Sequence, residues 1–118
     1  AAYLAGQVQP LSYAKLCETP EKFVGRVVRY QGRVLEVSSV GARSYVNLAI
    51  TLKKDRTWAD RMIAVLDGGD MTLLPGDDAT IYAAVTGETY EFPYVDAEGT
   101  EHIDVLPALT LLAYEKET

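Results

Sequence analysis

In the segment Val28-Arg29-Tyr30-Gln31-Gly32-Arg33-Val34 a glycine stands on the apolar face of a strand pattern, and that placement constrains the chain more than any other feature. Val28, Tyr30 and Val34 share one face, while Arg29, Gln31 and Arg33 share the other, which is the period-two alternation of a half-buried strand. A glycine inside such a strand permits a sharp bend or a bulge. A long leading strand bent at Gly32 is what closing a small barrel demands, so the expected fold is mainly β.

The rest of the chain reads around that strand. Ser12 is placed to cap a short helix whose buried stripe is Tyr13, Leu16 and Cys17, at i, i+3 and i+4. Thr19-Pro20-Glu21 is a second helix start, which Gly25 ends. From residue 26 the period becomes two. After a turn at Gly41, residues 44–52 alternate with Val46, Leu48, Ile50 and Leu52 on one face. Lys53-Lys54-Asp55-Arg56-Thr57 makes a turn, and residues 61–66 form a third strand that Asp67-Gly68-Gly69-Asp70 stops. Leu73-Leu74-Pro75-Gly76-Asp77-Asp78 is a connector, with residues 80–89 as the fourth strand. Residues 90–101 read as a long loop tipped by Asp96-Ala97-Glu98-Gly99. Residues 102–114 are a fifth strand, where Pro107 calls for an edge or a bulge. Five strands at hairpin spacing point to a barrel or a sandwich. Residues 1–10 are a lead-in and residues 11–118 a single domain.

Composition narrows the chemistry. The chain has 118 residues, 48% of them apolar, enough for one core. No apolar run approaches the roughly 20 residues of a membrane helix. A targeting segment or anchor upstream of Ala1-Ala2-Tyr3-Leu4-Ala5 is compatible with this opening. A single cysteine, Cys17, forms no internal disulfide and no cysteine-based zinc cluster, and its place on the stripe predicts a buried small hydrophobe. The formal charge is −6, which as a total ranks nucleic acid below protein as a partner. Residues 1–61 nevertheless hold ten Lys/Arg and five Asp/Glu, and residues 62–118 one and twelve. Interleaved halves would cancel this asymmetry, whereas segregated halves would leave a basic face.

Tyr13-Ala14-Lys15-Leu16, then Thr19-Pro20-Glu21-Lys22-Phe23-Val24-Gly25, then Val27-Val28-Arg29-Tyr30-Gln31-Gly32-Arg33-Val34 resemble the opening of a bacterial extracytoplasmic OB-fold family that includes the toxin-operon negative regulator type of barrel. Pro75-Gly76-Asp77-Asp78-Ala79-Thr80-Ile81-Tyr82, Gly87-Glu88-Thr89-Tyr90 and Leu106-Pro107-Ala108 continue the likeness, which spans residues 12–114. Phe92-Pro93-Tyr94 departs from the small-residue glycine turn usual there. The resemblance implies a five-stranded OB-fold (Greek-key) barrel with a short N-terminal helix, placed outside the cytoplasm, often on a lipid or membrane anchor. It supplies no catalytic residues.

The candidate sites follow from residue type. His102 and Asp104 share a strand face but no nucleophile elbow accompanies them, so no triad is expected. Asp96, Glu98, Glu101 and Asp104 do not have EF-hand spacing and read as an exposed acidic hairpin. Cys17 reads as packing rather than redox chemistry. No catalytic residue, metal or cofactor is expected, and the chain reads as a non-enzymatic binding module. Its candidate binding residues are basic and aromatic: Arg29, Gln31 and Arg33 on the outer face of the first strand, Tyr45 and Asn47 on the second, and Tyr90, Phe92 and Tyr94 further on as stacking surfaces. The competing expectation pairs the arginines with carboxylates and folds the aromatics back as a lid. Expected partners are a protein or a second copy of the chain. The alternative is nucleic acid or another anionic ligand held by Arg29, Arg33, Arg43, Lys53, Lys54 and Arg56. A membrane enters only through an anchor outside this chain.

Overall fold

The computed structural model describes residues 6–117. The opening pentapeptide, with the readings made on it, and Thr118 lie outside the described residues. The helix is α1 (Tyr13–Glu18), and a 3-10 helix (Pro20–Phe23) follows it. The strands are β1 (Val27–Val40), β2 (Arg43–Leu52), β3 (Trp58–Asp67), β4 (Asp78–Val95) and β5 (Glu101–Glu117). They close as a barrel in the order β1-β2-β3-β5-β4, with β4 returning to β1. All pairings are antiparallel except β3 with β5, and this strand order is that of the OB barrel.

Local signals account for each end. The Ser12 hydroxyl accepts from the Lys15 amide, as an N-cap does. Thr19 precedes Pro20 but makes no side-chain cap, so the second helix is a single 3-10 turn. Gly25, at φ +86°, turns the chain into β1. The lead-in is tied to the barrel where it is described: the Gln9 amide donates to the Val27 carbonyl.

Gly32 acts through space rather than through a bulge. A Cβ there would overlap the Ala49 carbonyl, so its absence lets β2 cross close over β1. The extra residue of β1 is Leu35, between the pairs Val34↔Leu48 and Glu36↔Asn47. Inward residues Val28, Val34, Val46, Leu48, Met62, Ile81 and Leu109 form the core, and Leu73 and Leu16 join it. Burying Leu16 contributes about 2 kcal/mol of transfer free energy and docks α1 on the barrel. The Tyr13 hydroxyl donates to the Arg61 carbonyl and the Tyr30 hydroxyl to that of Leu11.

Three expectations need correction. Cys17 is exposed: the stripe of α1 narrows to Leu16 and a half-buried Tyr13, because six residues cannot present a wider face. Leu52 is also exposed, since β2 outruns the core there. Residues 90–101 are not a loop. Residues 89–95 of β4 pair with 101–107 of β5 as a two-stranded arm, and only the tip around Asp96–Thr100 turns. Pro107 does mark an irregularity: between Val85↔Leu109 and Thr89↔Pro107, β4 carries three residues against one, and Thr86 Oγ1 donates to the Ala108 carbonyl. Among the described residues no helix is long and apolar enough to cross a membrane.

Candidate functional site: a groove between barrel face and arm

Alternate residues of β2 leave the barrel wall: Tyr45, Asn47 and Thr51 reach the outer face, with Ala49 between them fully covered. Opposite them on β3 stand Val65, Ile63, Arg61 and Ala59, and on β1 the bulge at Leu35 brings Ser38 beside Tyr45 and Glu36 beside Asn47. The arm lies against this face. Tyr90 meets Tyr45 edge to face, with centroids 6.1 Å apart and planes at 86°. The Asp104 carboxylate of β5 pairs with the Arg61 guanidinium of β3 and ties arm to barrel.

Between face and arm runs a groove of about 200 Å³, lined by Glu36, Ser38, Tyr45, Asn47, Ile63, Tyr90 and Phe92. Its walls are ring surfaces and short polar groups. Asn47 Oδ1 is buried there without a hydrogen-bond partner, a cost of about 1–3 kcal/mol that a donor delivered into the groove would relieve. Phe92 is 38% exposed. Further along the arm Tyr94 stacks on His102, with centroids at 5.2 Å and planes at 21°.

The candidate residues divide in two. Tyr45, Asn47, Tyr90 and Phe92 come together in the groove, and Tyr94 stands beyond it on the same face of the arm. Arg29 and Gln31 lie on the half of β1 that pairs with β4, opposite Tyr82 and Thr80. Gln31 donates to Glu117, and Arg33 pairs with Asp78 at 2.7 Å while its guanidinium lies 5.2 Å from the Trp58 ring centre. Sequence reasoning did not single out Glu36, Ser38 and Ile63. Only the register shift at Leu35 brings the first two opposite β2, and nothing in a single strand's alternation signals that.

The charged halves interleave. Arg33–Asp78, Arg43–Asp67 and Arg61–Asp104 each join a residue of the basic half to one of the acidic half. Among the described residues Arg29, Lys53, Lys54 and Arg56 have no carboxylate within ion-pair distance. The last three occupy the β2–β3 turn, into which the outer face of β2 leads directly after Thr51.

The remaining polar clusters are structural. Asp96 Oδ1 accepts from the amides of Glu98 and Thr100, and Oδ2 lies 2.6 Å from His102 Nε2. The hydrogen bond to His102 and then that from the Thr100 amide hold this carboxyl below its ordinary range. His102 thus faces Asp96, while Asp104 is engaged by Arg61. Asp77 accepts from the Leu74 amide, which is the main reason its carboxyl is also held low. Among the described residues no group of three or more His, Cys, Asp or Glu side chains is arranged to hold a metal ion.

No family model matches this chain. No curated protein matches it either. Among solved structures, two crystal structures of the mitochondrial single-stranded DNA binding protein Rim1 from S. cerevisiae, both of its form 2, are similar to it. One has a TM-score of 0.47 at 7% identity, the other (a selenomethionine form) 0.43 at 11%, and each match covers 78% of this chain and 94% of that chain.

Proposed function

We propose that this domain is a non-enzymatic binding module that holds a single-stranded nucleic acid along the outer face of β2. The observation that carries the reading is the set of rings, Tyr45, Tyr90 and Phe92, gathered on one groove of the barrel's outer face. Every base has a π-face, so such rings bind a strand with little regard to sequence, at about 1–3 kcal/mol per stacked base. Asn47 Oδ1 stands ready to accept from a base amine or a ribose hydroxyl. From Asn47 the β2 face runs some six residues to Lys53, or about 20 Å, the span of three or four nucleotides. There Lys53, Lys54 and Arg56 are free to meet phosphates. The total of −6 does not decide the matter, because the carboxylates that engage Arg33, Arg43 and Arg61 leave this turn untouched.

Titrating a fluorescent oligothymidine with the full chain tests this. Affinity should fall with salt at a slope near −2 on logarithmic axes, as about three phosphate contacts predict. Tyr90→Ala combined with Phe92→Ala should lower affinity by more than tenfold without loss of fold. No binding at low salt would end the nucleic-acid reading.

A second reading has its own support: Glu36 and Ser38 form one wall of the groove, and Arg43 and Arg61 beside it are engaged by Asp67 and Asp104. A neutral oligosaccharide or peptide suits such walls. Its binding would show no salt slope but the same dependence on Tyr90 and Phe92. Residence outside the cytoplasm, implied by the resemblance over residues 12–114, is carried as part of the proposal. Finding the protein only in the cytosolic fraction of its cell would remove it.

A further inference from the structure

The groove uses one face of the arm, and the opposite face has no use within the chain. The pairs Glu91↔Val105, Pro93↔Ile103 and Val95↔Glu101 place Pro93, Val95, Ile103 and Val105 together on that outer face. Val95 is 63% exposed, Ile103 62% and Val105 54%. An apolar stripe on a projecting two-stranded ribbon is costly in water, and a ribbon of two strands is marginal by itself. Acids rim the stripe: Glu91 and Glu101 on the ribbon, and Glu98 at the tip. Two arms laid face to face would oppose acid with acid.

The complementary surface lies elsewhere on the same molecule. Ile50, Leu52 and Trp58 line a hollow of about 400 Å³, with Arg33 over the Trp58 ring. Leu52 is 55% exposed. Asp78 and Glu117 also border the hollow, but Asp78 is tied to Arg33 and Glu117 accepts from Gln31 and Thr80. Leu52 and Trp58 bracket the β2–β3 turn, where Lys53, Lys54 and Arg56 outnumber Asp55.

We propose that a second copy of this chain is the partner: the apolar face of each arm seats on the Leu52–Trp58 hollow of the other copy, and the acidic rim meets the basic turn. Apolar surface then covers apolar surface and each charge meets its opposite. The arrangement proposed is the reciprocal one, in which the same two copies exchange arms about a two-fold axis, and this is the closed alternative to a head-to-tail chain of copies. The arm's seven paired positions, from Thr89↔Pro107 to Val95↔Glu101, make a ribbon about 23 Å long and about 10 Å wide. Two such contacts bury on the order of 900 Å² in total, just below the range of specific interfaces, so the dimer is in exchange with monomer. The dimer needs no ligand in the groove, but it covers the same Lys53–Arg56 turn that the proposed function gives to phosphates, so an oligonucleotide would compete with it for that turn.

Sedimentation velocity on the full chain without oligonucleotide, across a concentration series, is the test. The expected result is a mass that rises from monomer to dimer with concentration and a dimer weakened by salt. Ile103→Asp should hold the chain at monomer with an unchanged thermal melt, since Ile103 is exposed. Lys53→Glu with Lys54→Glu should weaken the dimer at least tenfold, and adding Glu98→Lys and Glu101→Lys to the same chain should restore it. A monomer at every concentration would overturn the proposal. So would a dimer indifferent to Ile103→Asp, or one that the charge exchange fails to restore.

Discussion

Tyr45 of β2 and Tyr90 of β4 meet edge to face across the groove, with ring centroids 6.1 Å apart. Together with the Arg61–Asp104 ion pair, the contact makes the arm part of the barrel face rather than a free hairpin. Edge-to-face aromatic pairs are worth about 0.5–1.5 kcal/mol beyond the area they bury. A double-mutant cycle with Tyr45→Ala and Tyr90→Ala, read by urea unfolding, should therefore show a coupling near 1 kcal/mol. Additive losses would mean that the two rings do not hold each other in solution.

Gly32→Ala should be one of the most damaging small substitutions in the chain. The new methyl would run into the Ala49 carbonyl, which is backbone and cannot rotate away, so β1 and β2 would have to separate. Overpacking of this kind costs about 1–3 kcal/mol. The same change at Gly41, where nothing stands near the position of a Cβ, meets only the strain of a positive φ. Thermal melts of the two variants compare them directly, and a Gly32→Ala protein as stable as the parent would contradict the close crossing.

The leading strand was legible because Val28, Tyr30 and Val34 alternate with the polar Arg29, Gln31 and Arg33, but the role of Gly32 was not, since alternation alone does not separate a bend or bulge from the close approach of a neighbouring strand. The pairing of Arg33, Arg43 and Arg61 with acids was legible only as one of two outcomes, since charge balance does not reveal which strands become neighbours. The arm escaped because Pro93 and the acids around it read as loop chemistry, although Tyr90, Phe92 and Tyr94 repeat with the period of a strand. Pro93 is tolerated there because an arm two strands wide has free edges on which a missing N–H costs nothing. Cys17 was misplaced by treating six residues of α1 as though they had a full helical face.

Acid should loosen the tip of the arm before the barrel. The Asp96 carboxyl is held below its ordinary value by His102 and by the Thr100 and Glu98 amides. A carboxyl depressed in the folded state stabilises it fully above the unfolded value of about 3.9, and that contribution is lost as pH falls through the folded value. Hydrogen exchange at the Glu98 and Thr100 amides should thus accelerate at the acid end of the carboxylate range while β2 stays protected. Asp96→Ala should give the same loss of protection at neutral pH. Tip amides whose protection is flat down to the lowest pH tolerated by the barrel would show that Asp96 does not organise the turn.

Alkali probes the barrel instead. Tyr30 is almost wholly buried, and its hydroxyl donates to the Leu11 carbonyl at 2.7 Å. Burial pushes its phenol from 10.0 up to about 12. A raised folded value means that the neutral phenol is the form the barrel favours: its contribution is complete below pH 10.0 and is lost as pH climbs toward about 12. Tyr13, raised first by burial and then by its neighbour Cys17, acts in the same direction. Tyr30→Phe keeps the ring in the core and removes the titrating group, so it should cost about 1 kcal/mol at neutral pH for the lost hydrogen bond and flatten the fall in stability above pH 10.0. Unfolding free energies of parent and variant measured across that range decide it. If the two curves fall in parallel, the alkaline sensitivity originates in another group, and the bond between Tyr30 and the segment before α1 does not anchor that segment to the barrel.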